Sequence, residues 1–252
     1  MSMFAAALPQ AQPQHLYCRI NLPHGPSMNP PLQRVVIAGA SGLTGGKLLS
    51  LLLQDPQISE VHALLRSPLA IEHPRLIQYI IDFSNLEQHR ELIRGDAVFC
   101  CLGTTIRQAG SQAHFKAVDY FYPLTLAMLA KLNGVPRFIG ISSLGADASS
   151  GNFYLQVKGQ LEKALMALQF KQLTLLRPSL LLGERKQLRP AEWLGIQVGK
   201  LASPLMCGPL RRYRPISVES VAWNMLDAAH NAGAAIEIRE SEQQQQRFAA
   251  AC

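Results

Sequence analysis

The sequence predicts a doubly wound α/β fold, a parallel sheet with helices on both faces. Two observations carry this prediction. From Arg34 to Arg177, short apolar runs alternate with longer segments of helical periodicity. The short runs are apolar throughout rather than alternately apolar and polar, so both faces of each strand must be covered, as in parallel sheets.

The elements follow in order. Arg34 to Gly39 (RVVIAG) is a short buried strand that ends in glycine. Thr44 to Gln54 is a helix with Leu48, Leu49, Leu52 and Leu53 on neighbouring turns, stopped by Asp55-Pro56. Val61 to Leu65 is a second strand, Leu76 to Ile81 a third closed by Asp82, and Asp96 to Cys101 a fourth. Residues 112–133 form a long helix ending at Asn133-Gly134. Arg137 to Ile141 is a fifth strand, Phe153 to Gln169 a helix and Leu173 to Leu176 a sixth strand.

After Arg177-Pro178 the alternation weakens. Residues 180–240 hold loops, helices near 191–202 and 218–231, and a short strand near 235–238, which together suggest a small substrate-side lobe. Residues 1–32, with six prolines and little periodicity, read as a flexible arm, and Met28 stands just before the first strand. Residues 241–252, with a Gln run at 243–246, read as a mobile tail.

Composition narrows the class. The chain has 252 residues, 48% of them hydrophobic and 16% charged, enough to bury a core. Its net charge is +7, but the basic residues are scattered and no nucleic-acid module accompanies them, so a nucleic-acid partner is not expected. The five cysteines form no C-x-x-C pair, which suggests reduced thiols, a cytoplasmic protein and no metal site. No apolar stretch reaches the length of a membrane span and the N-terminus lacks a secretory pattern, so no membrane partner is expected.

The first strand leads into Gly39-Ala-Ser41-Gly42-Leu43-Thr44-Gly45 and then a helix. Gly39 permits a tight turn, Gly42 lets the backbone approach a pyrophosphate, and Gly45 lets the helix pack closely on the sheet. Free N–H groups at the helix start suit phosphate, and the Ser41 and Thr44 hydroxyls add donors. In this strand–turn–helix setting the motif predicts a Rossmann-type dinucleotide-binding domain over residues 33–240, with Leu43 among the contacts. The second strand ends Ala63-Leu-Leu-Arg66-Ser67, with no acid to bond a ribose 2′-hydroxyl. Arg66 suits a 2′-phosphate, so NADP(H) is the expected cofactor. Asp82 can meet the adenine amino group or cap a loop. Leu102-Gly103, closing the fourth strand, can pass close to the cofactor or form a plain turn.

The helix after the fifth strand carries Tyr154-Leu-Gln-Val-Lys158, whose four-residue spacing puts both side chains on one face. A lysine favours the phenolate of a neighbouring tyrosine, which can then exchange a proton with a carbonyl or alcohol oxygen during nicotinamide chemistry. Ser142 and Ser143 close the fifth strand, where a hydroxyl can orient that oxygen or simply cap a turn.

These residues, with the runs IAGASGLTGGKLL, VFCCLGTT, ISSLGADASSGNFYLQVKG, LLRPSLLLGER and LRPAEWLG, resemble the short-chain dehydrogenase/reductase superfamily. The likeness is to its atypical branch of Tat-interacting, metastasis-suppressor oxidoreductase-like proteins, over roughly residues 34–231. The resemblance implies NADPH in the groove, Tyr154 as proton donor, Lys158 as tyrosine-tuning and ribose-binding residue, and Ser142 or its neighbour completing the set. It also implies that Leu181 and Arg189 line the cofactor side, and makes a homodimer an expectation. Asp119 stands where enzymatic members often carry a relay asparagine, a departure that bears on turnover rather than binding.

Three functional readings follow. The first is an NADPH-dependent oxidoreductase acting on a small carbonyl or alcohol. The second is an NADPH-sensing module that binds a protein partner without turnover. The third, a nucleotide-sugar epimerase or dehydratase, is disfavoured because only 75 residues follow Arg177.

Overall fold

The computed structural model describes residues 31–182, 208–231 and 233–252. The expected helix near 191–202, Arg189, and residues 1–30 of the expected arm lie outside the described residues. The strands of the main sheet are β1 (Arg34–Ala38), β2 (Glu60–Leu65), β3 (Leu76–Ile80), β4 (Ala97–Cys100), β5 (Arg137–Ile141), β6 (Gln172–Arg177) and β9 (Ile236–Glu240). They lie in the order β3-β2-β1-β4-β5-β6-β9 with every neighbouring pair parallel. This is a Rossmann-type sheet, with its order reversing between β1 and β4.

Strand β1 shows why the apolar runs must be continuous. Val35 and Ile37 enter one core, with Leu48, Leu49, Leu52 and Leu53 of α1 (Leu43–Gln54). Val36 and Ala38 enter the other, with Leu126 and Ala130 on the opposite face. Side chains alternate across a strand, so a strand covered on both faces needs apolar residues at every position. Each fully buried Leu or Val contributes roughly 1.5–3 kcal/mol relative to exposure.

The expected helix at 112–133 is continuous in path but not in hydrogen bonding. It runs as α3 (Gln112–Lys116), a π-helical turn (Ala117–Phe121) and α4 (Tyr122–Leu132), preceded by the short α2 (Ile106–Ala109). Phe83–Leu92, for which the sequence pattern predicts no element, forms kinked 3-10 turns capped by Asp82. Helix α5 (Phe153–Ala167) follows β5, as expected.

The C-terminal region departs from expectation in two ways. The alternation resumes after residue 216: β8 (Ile216–Ser217) pairs with β7 (Leu181–Leu182), and α6 (Val218–His230) leads into β9, which extends the main sheet beside β6. The helix expected near 218–231 and the strand expected near 235–238 are thus present, and the strand joins the main sheet of the domain. Val221, Ala222, Met225 and Leu226 of α6 pack into the same core as α1, a tertiary pairing that local pattern does not reveal. The predicted mobile tail is instead helix α7 (Ser241–Ala251). It starts with a reciprocal capping box between Glu240 and Gln243, and the buried Gln244 donates to the Arg239 carbonyl and accepts at its own carbonyl from Asn224. Polar residues here serve buried partners, so composition alone misled.

Candidate active site

The sheet order places the carboxyl ends of β1 and β4 side by side, and the loops diverging there open a cavity of about 550 Å³. One end is built by the glycine turn. Gly39 has φ +88°, and a Cβ there would lie 2.6 Å from the Cys101 carbonyl oxygen. A Cβ on Gly45 would lie 2.1 Å from the Gly39 carbonyl oxygen, so only glycine lets α1 start this close to the strand. Gly42 is the N-cap of α1, with no side chain to accept from the first-turn N–H groups and no acid in that turn. Gly42, Leu43, Thr44 and Gly45 line the cavity, making this end a cradle suited to an anionic group.

The floor is formed by Cys101, Leu102 and Gly103 after β4. Gly103 abuts the far end, where a Cβ would stand 3.4 Å from Asp119 Oδ1 and 3.8 Å from Lys158 Nζ. Tyr154 and Lys158 line that end from one face of α5. The Tyr154 ring lies 5.7 Å from that of the fully buried Phe115, which anchors it from α3. Lys158 is buried and its ammonium sits 2.7 Å from Asp119 Oδ1, while Asp119 Oδ2 accepts from the Thr104 N–H at 2.8 Å. The π-helical turn carries Asp119 and turns it inward. Burial disfavours the lysine charge, yet the neighbouring Asp119 carboxylate, with Tyr154 contributing less, holds the ammonium above the ordinary lysine range.

Ser142 and Ser143 both line the cavity but are not equivalent. The Ser142 N–H donates to the Leu176 carbonyl at 2.7 Å, continuing the sheet register, while its buried Oγ has no hydrogen-bond partner. The Ser143 hydroxyl reaches the Leu144 carbonyl at 3.5 Å. Ser142 lines the cavity, and its buried hydroxyl, without a protein partner, is available to a ligand oxygen that reaches it.

Of the remaining sequence candidates, Leu181 lines the cavity beside Ser179 and Leu180. Gly39 and Ser41 shape the turn without lining the cavity. Arg66 is exposed just beyond β2 and is not on the lining. Asp82 also stands outside the cavity, and its carboxylate accepts from the Ser84 N–H at 2.9 Å, the Ser84 hydroxyl at 2.6 Å and the Asn85 amide at 3.2 Å. These bonds, those of Ser84 foremost, hold its carboxyl below the usual carboxylate range. Thr104 and Thr105, which end the VFCCLGTT run, and Gln108 also line the cavity, although the sequence assigned them no site role. Thr105 is the N-cap of α2, accepting from the Gln108 N–H, and only the fold brings that short helix to the cavity rim. Among the described residues, no group of acidic, His and Cys side chains could hold a metal ion, and no helix is long and apolar enough to cross a membrane.

Residues 39–191 match the family model described as NAD(P)H-binding. The chain is 43% identical over 164 residues to Protein HTATIP2 of Rattus norvegicus, covering 64% of this chain and 67% of that protein. It is 34% identical over 156 residues to the mitochondrial Protein FMP52 of Candida albicans, covering 60% and 68%. In solved structures it resembles the Bordetella bronchiseptica enzyme WbmH in complex with NAD+, at 17% identity and TM-score 0.62 over 87% of this chain and 80% of that one. It also resembles UDP-glucose 4-epimerase of Thermotoga maritima, at 14% identity and TM-score 0.64 over 87% and 81%. At such identities these two structures speak to the fold alone. The FMP52 relatives overturn the cytoplasmic expectation, since they are mitochondrial proteins. Reduced thiols identify a reducing compartment and do not say which one.

Proposed function

The chain belongs to the NAD(P)H-binding family of short-chain dehydrogenase/reductase-like proteins, and on that premise we propose that it is an NADP(H)-dependent oxidoreductase acting on a small carbonyl or alcohol. The observation that carries this reading is that Tyr154, Lys158 and Ser142, whose hydroxyl has no protein partner, line the same cavity as the glycine cradle.

In this reading the pyrophosphate lies on the start of α1, against Gly42 to Gly45, and the nicotinamide end reaches Tyr154 and Lys158. When bound, the nicotinamide supplies or accepts the hydride. The Ser142 hydroxyl donates to the substrate oxygen and fixes its position. Tyr154 gives its phenolic proton to that oxygen in reduction and takes it back in oxidation. Lys158 holds the ribose end and keeps its ammonium, paired with Asp119, on the same helix face as the phenol. Arg66, exposed at the end of β2, pairs with the 2′-phosphate and sets the preference for NADP(H). Arg189, Asp82 and Gly103 complete the proposed cofactor contacts, with Asp82 reaching the adenine only if it gives up its cap bonds. The test has two stages. Titration with NADPH and NADH, read by cofactor fluorescence, should show tighter NADPH binding that weakens in Arg66→Ala. In a carbonyl screen, Tyr154→Phe should abolish turnover while keeping NADPH binding; retained turnover in that variant refutes the assignment.

A second reading, an NADPH-dependent protein-binding module without turnover, draws on one observation: Lys158 is already engaged by Asp119. It predicts NADPH binding, no carbonyl reduction, and a partner whose binding requires the cofactor. The mitochondrial FMP52 relatives support a mitochondrial location for this chain, checked by fractionation of cells expressing it.

A further inference from the structure

Asp119 and Lys158 are the only charged side chains among the described residues lining the cavity. They form a buried ion pair at 2.7 Å, with side chains 1% and 5% exposed. The other titratable groups facing the ammonium are Tyr154 on the same helix and Cys100 at the end of β4. Burial pushes the Cys100 thiol up to about 11, so it carries no charge at neutral pH. The carboxylate is held from two sides, by the ammonium and by the Thr104 N–H, so it is fixed in place against the floor of the cavity.

The consequence concerns the two redox forms of the cofactor. The oxidised nicotinamide ring is a cation and the reduced ring is neutral. An unpaired, buried lysine repels the cation and leaves the neutral ring alone. A lysine cancelled by a carboxylate makes no such distinction. We propose that Asp119 is a specificity-determining residue that neutralises Lys158, so that the site accepts oxidised and reduced cofactor with similar affinity instead of favouring the reduced form. The inference rests on the proposed placement of the nicotinamide end beside Lys158, and it concerns the charge of the site rather than the proton transfer by Tyr154.

The experiment measures dissociation constants for NADP+ and NADPH at pH 6, where an unpaired amine stays protonated, and takes their ratio. The variants are Asp119→Asn, Lys158→Gln and the double variant, each checked for folding by circular dichroism. In the wild type the two constants should agree within about tenfold, the scale of one uncancelled charge acting over several ångströms in a protein. Asp119→Asn should weaken NADP+ relative to NADPH by roughly tenfold, and Lys158→Gln should shift the ratio the opposite way. The double variant, again neutral, should return to within about threefold of the wild-type ratio. A purely structural role for Asp119 weakens both forms equally and leaves the ratio alone; that result overturns the proposal. If a single variant fails to fold, the wild-type and double-variant ratios still decide, since a wild-type preference for NADPH well above tenfold refutes it. If the wild type binds neither form, the cofactor reading itself has failed, a result distinct from an unmoved ratio.

Discussion

Gly45 and Gly46 are adjacent in helix α1, yet alanine should have opposite effects at the two positions. At Gly45 the added carbon would lie 2.1 Å from the Gly39 carbonyl oxygen and 2.8 Å from its carbon, where ordinary contact begins at 3.4 Å. The obstacle is backbone in the β1–α1 turn, so the helix start must move by more than about 1 Å or the turn must open. Overpacking of this kind costs about 1–3 kcal/mol, against a helix-propensity gain of about 1 kcal/mol for replacing glycine. At Gly46 the nearest atom is the Ala40 carbonyl oxygen at 3.5 Å, an ordinary contact, so the propensity gain should survive. Urea denaturation should therefore place Gly45→Ala below wild type and Gly46→Ala level with it or above, the two separated by about 2 kcal/mol. Fluorescence titration should show NADPH binding lost or severely weakened in Gly45→Ala and kept in Gly46→Ala. Equal stability and equal binding in both variants would show that α1 is not pinned to the turn as described, and the cradle argument would fall with it.

Ser142→Ala removes a buried hydroxyl that has no protein partner, so its stability should stay within about 1 kcal/mol of wild type or rise, while reduction of any carbonyl that the wild type turns over should fall about 100-fold; normal turnover would remove Ser142 from the site. The Cys100 thiol, pushed up to about 11 by burial, stays protonated at neutral pH and should resist iodoacetamide in the folded protein and react after unfolding, while exposed Cys252 reacts in both states, as peptide mass mapping would show. Labelling of native Cys100 at the Cys252 rate would contradict its burial. His230→Leu removes the 2.5 Å partner of the fully buried Asp55 carboxylate, which joins the ends of α6 and α1, and should cost about 3 kcal/mol in urea denaturation; an unchanged midpoint would mean that the pair carries no stability.

Much of the fold was legible because its signals are local. A strand buried on both faces must be apolar at every position, and the turn after β1 requires glycine both for its positive φ at Gly39 and for the close approach at Gly45. The Tyr154–Lys158 pair was legible because a helix sets two residues four apart on one face. The C-terminal part was less legible. Arg239 on β9 is buried against Asp227 of α6 and Glu237, and Asn224 and Gln244 hold each other across α6 and α7. Polar residues that find partners only in the folded chain look like surface when read in sequence, so a packed helix passed for a tail.

The sequence by itself determined the succession of strands from β1 to β6, the glycine turn after β1 and the presence of a tyrosine and a lysine on one helix face, because each depends on steric rules acting within a few residues. It could flag Asp119 only as an unusual residue at a relay position. Tertiary structure decided that a π-helical turn brings this carboxylate to Lys158, that Ser142 rather than Ser143 keeps a free hydroxyl, and that Asp82 is occupied as a cap while Arg66 stands away from the cavity wall. Those outcomes depend on which side chains meet across α5, β5 and the turn after β4, and the distances that settle charge and hydrogen bonding exist only after the sheet has brought those segments together.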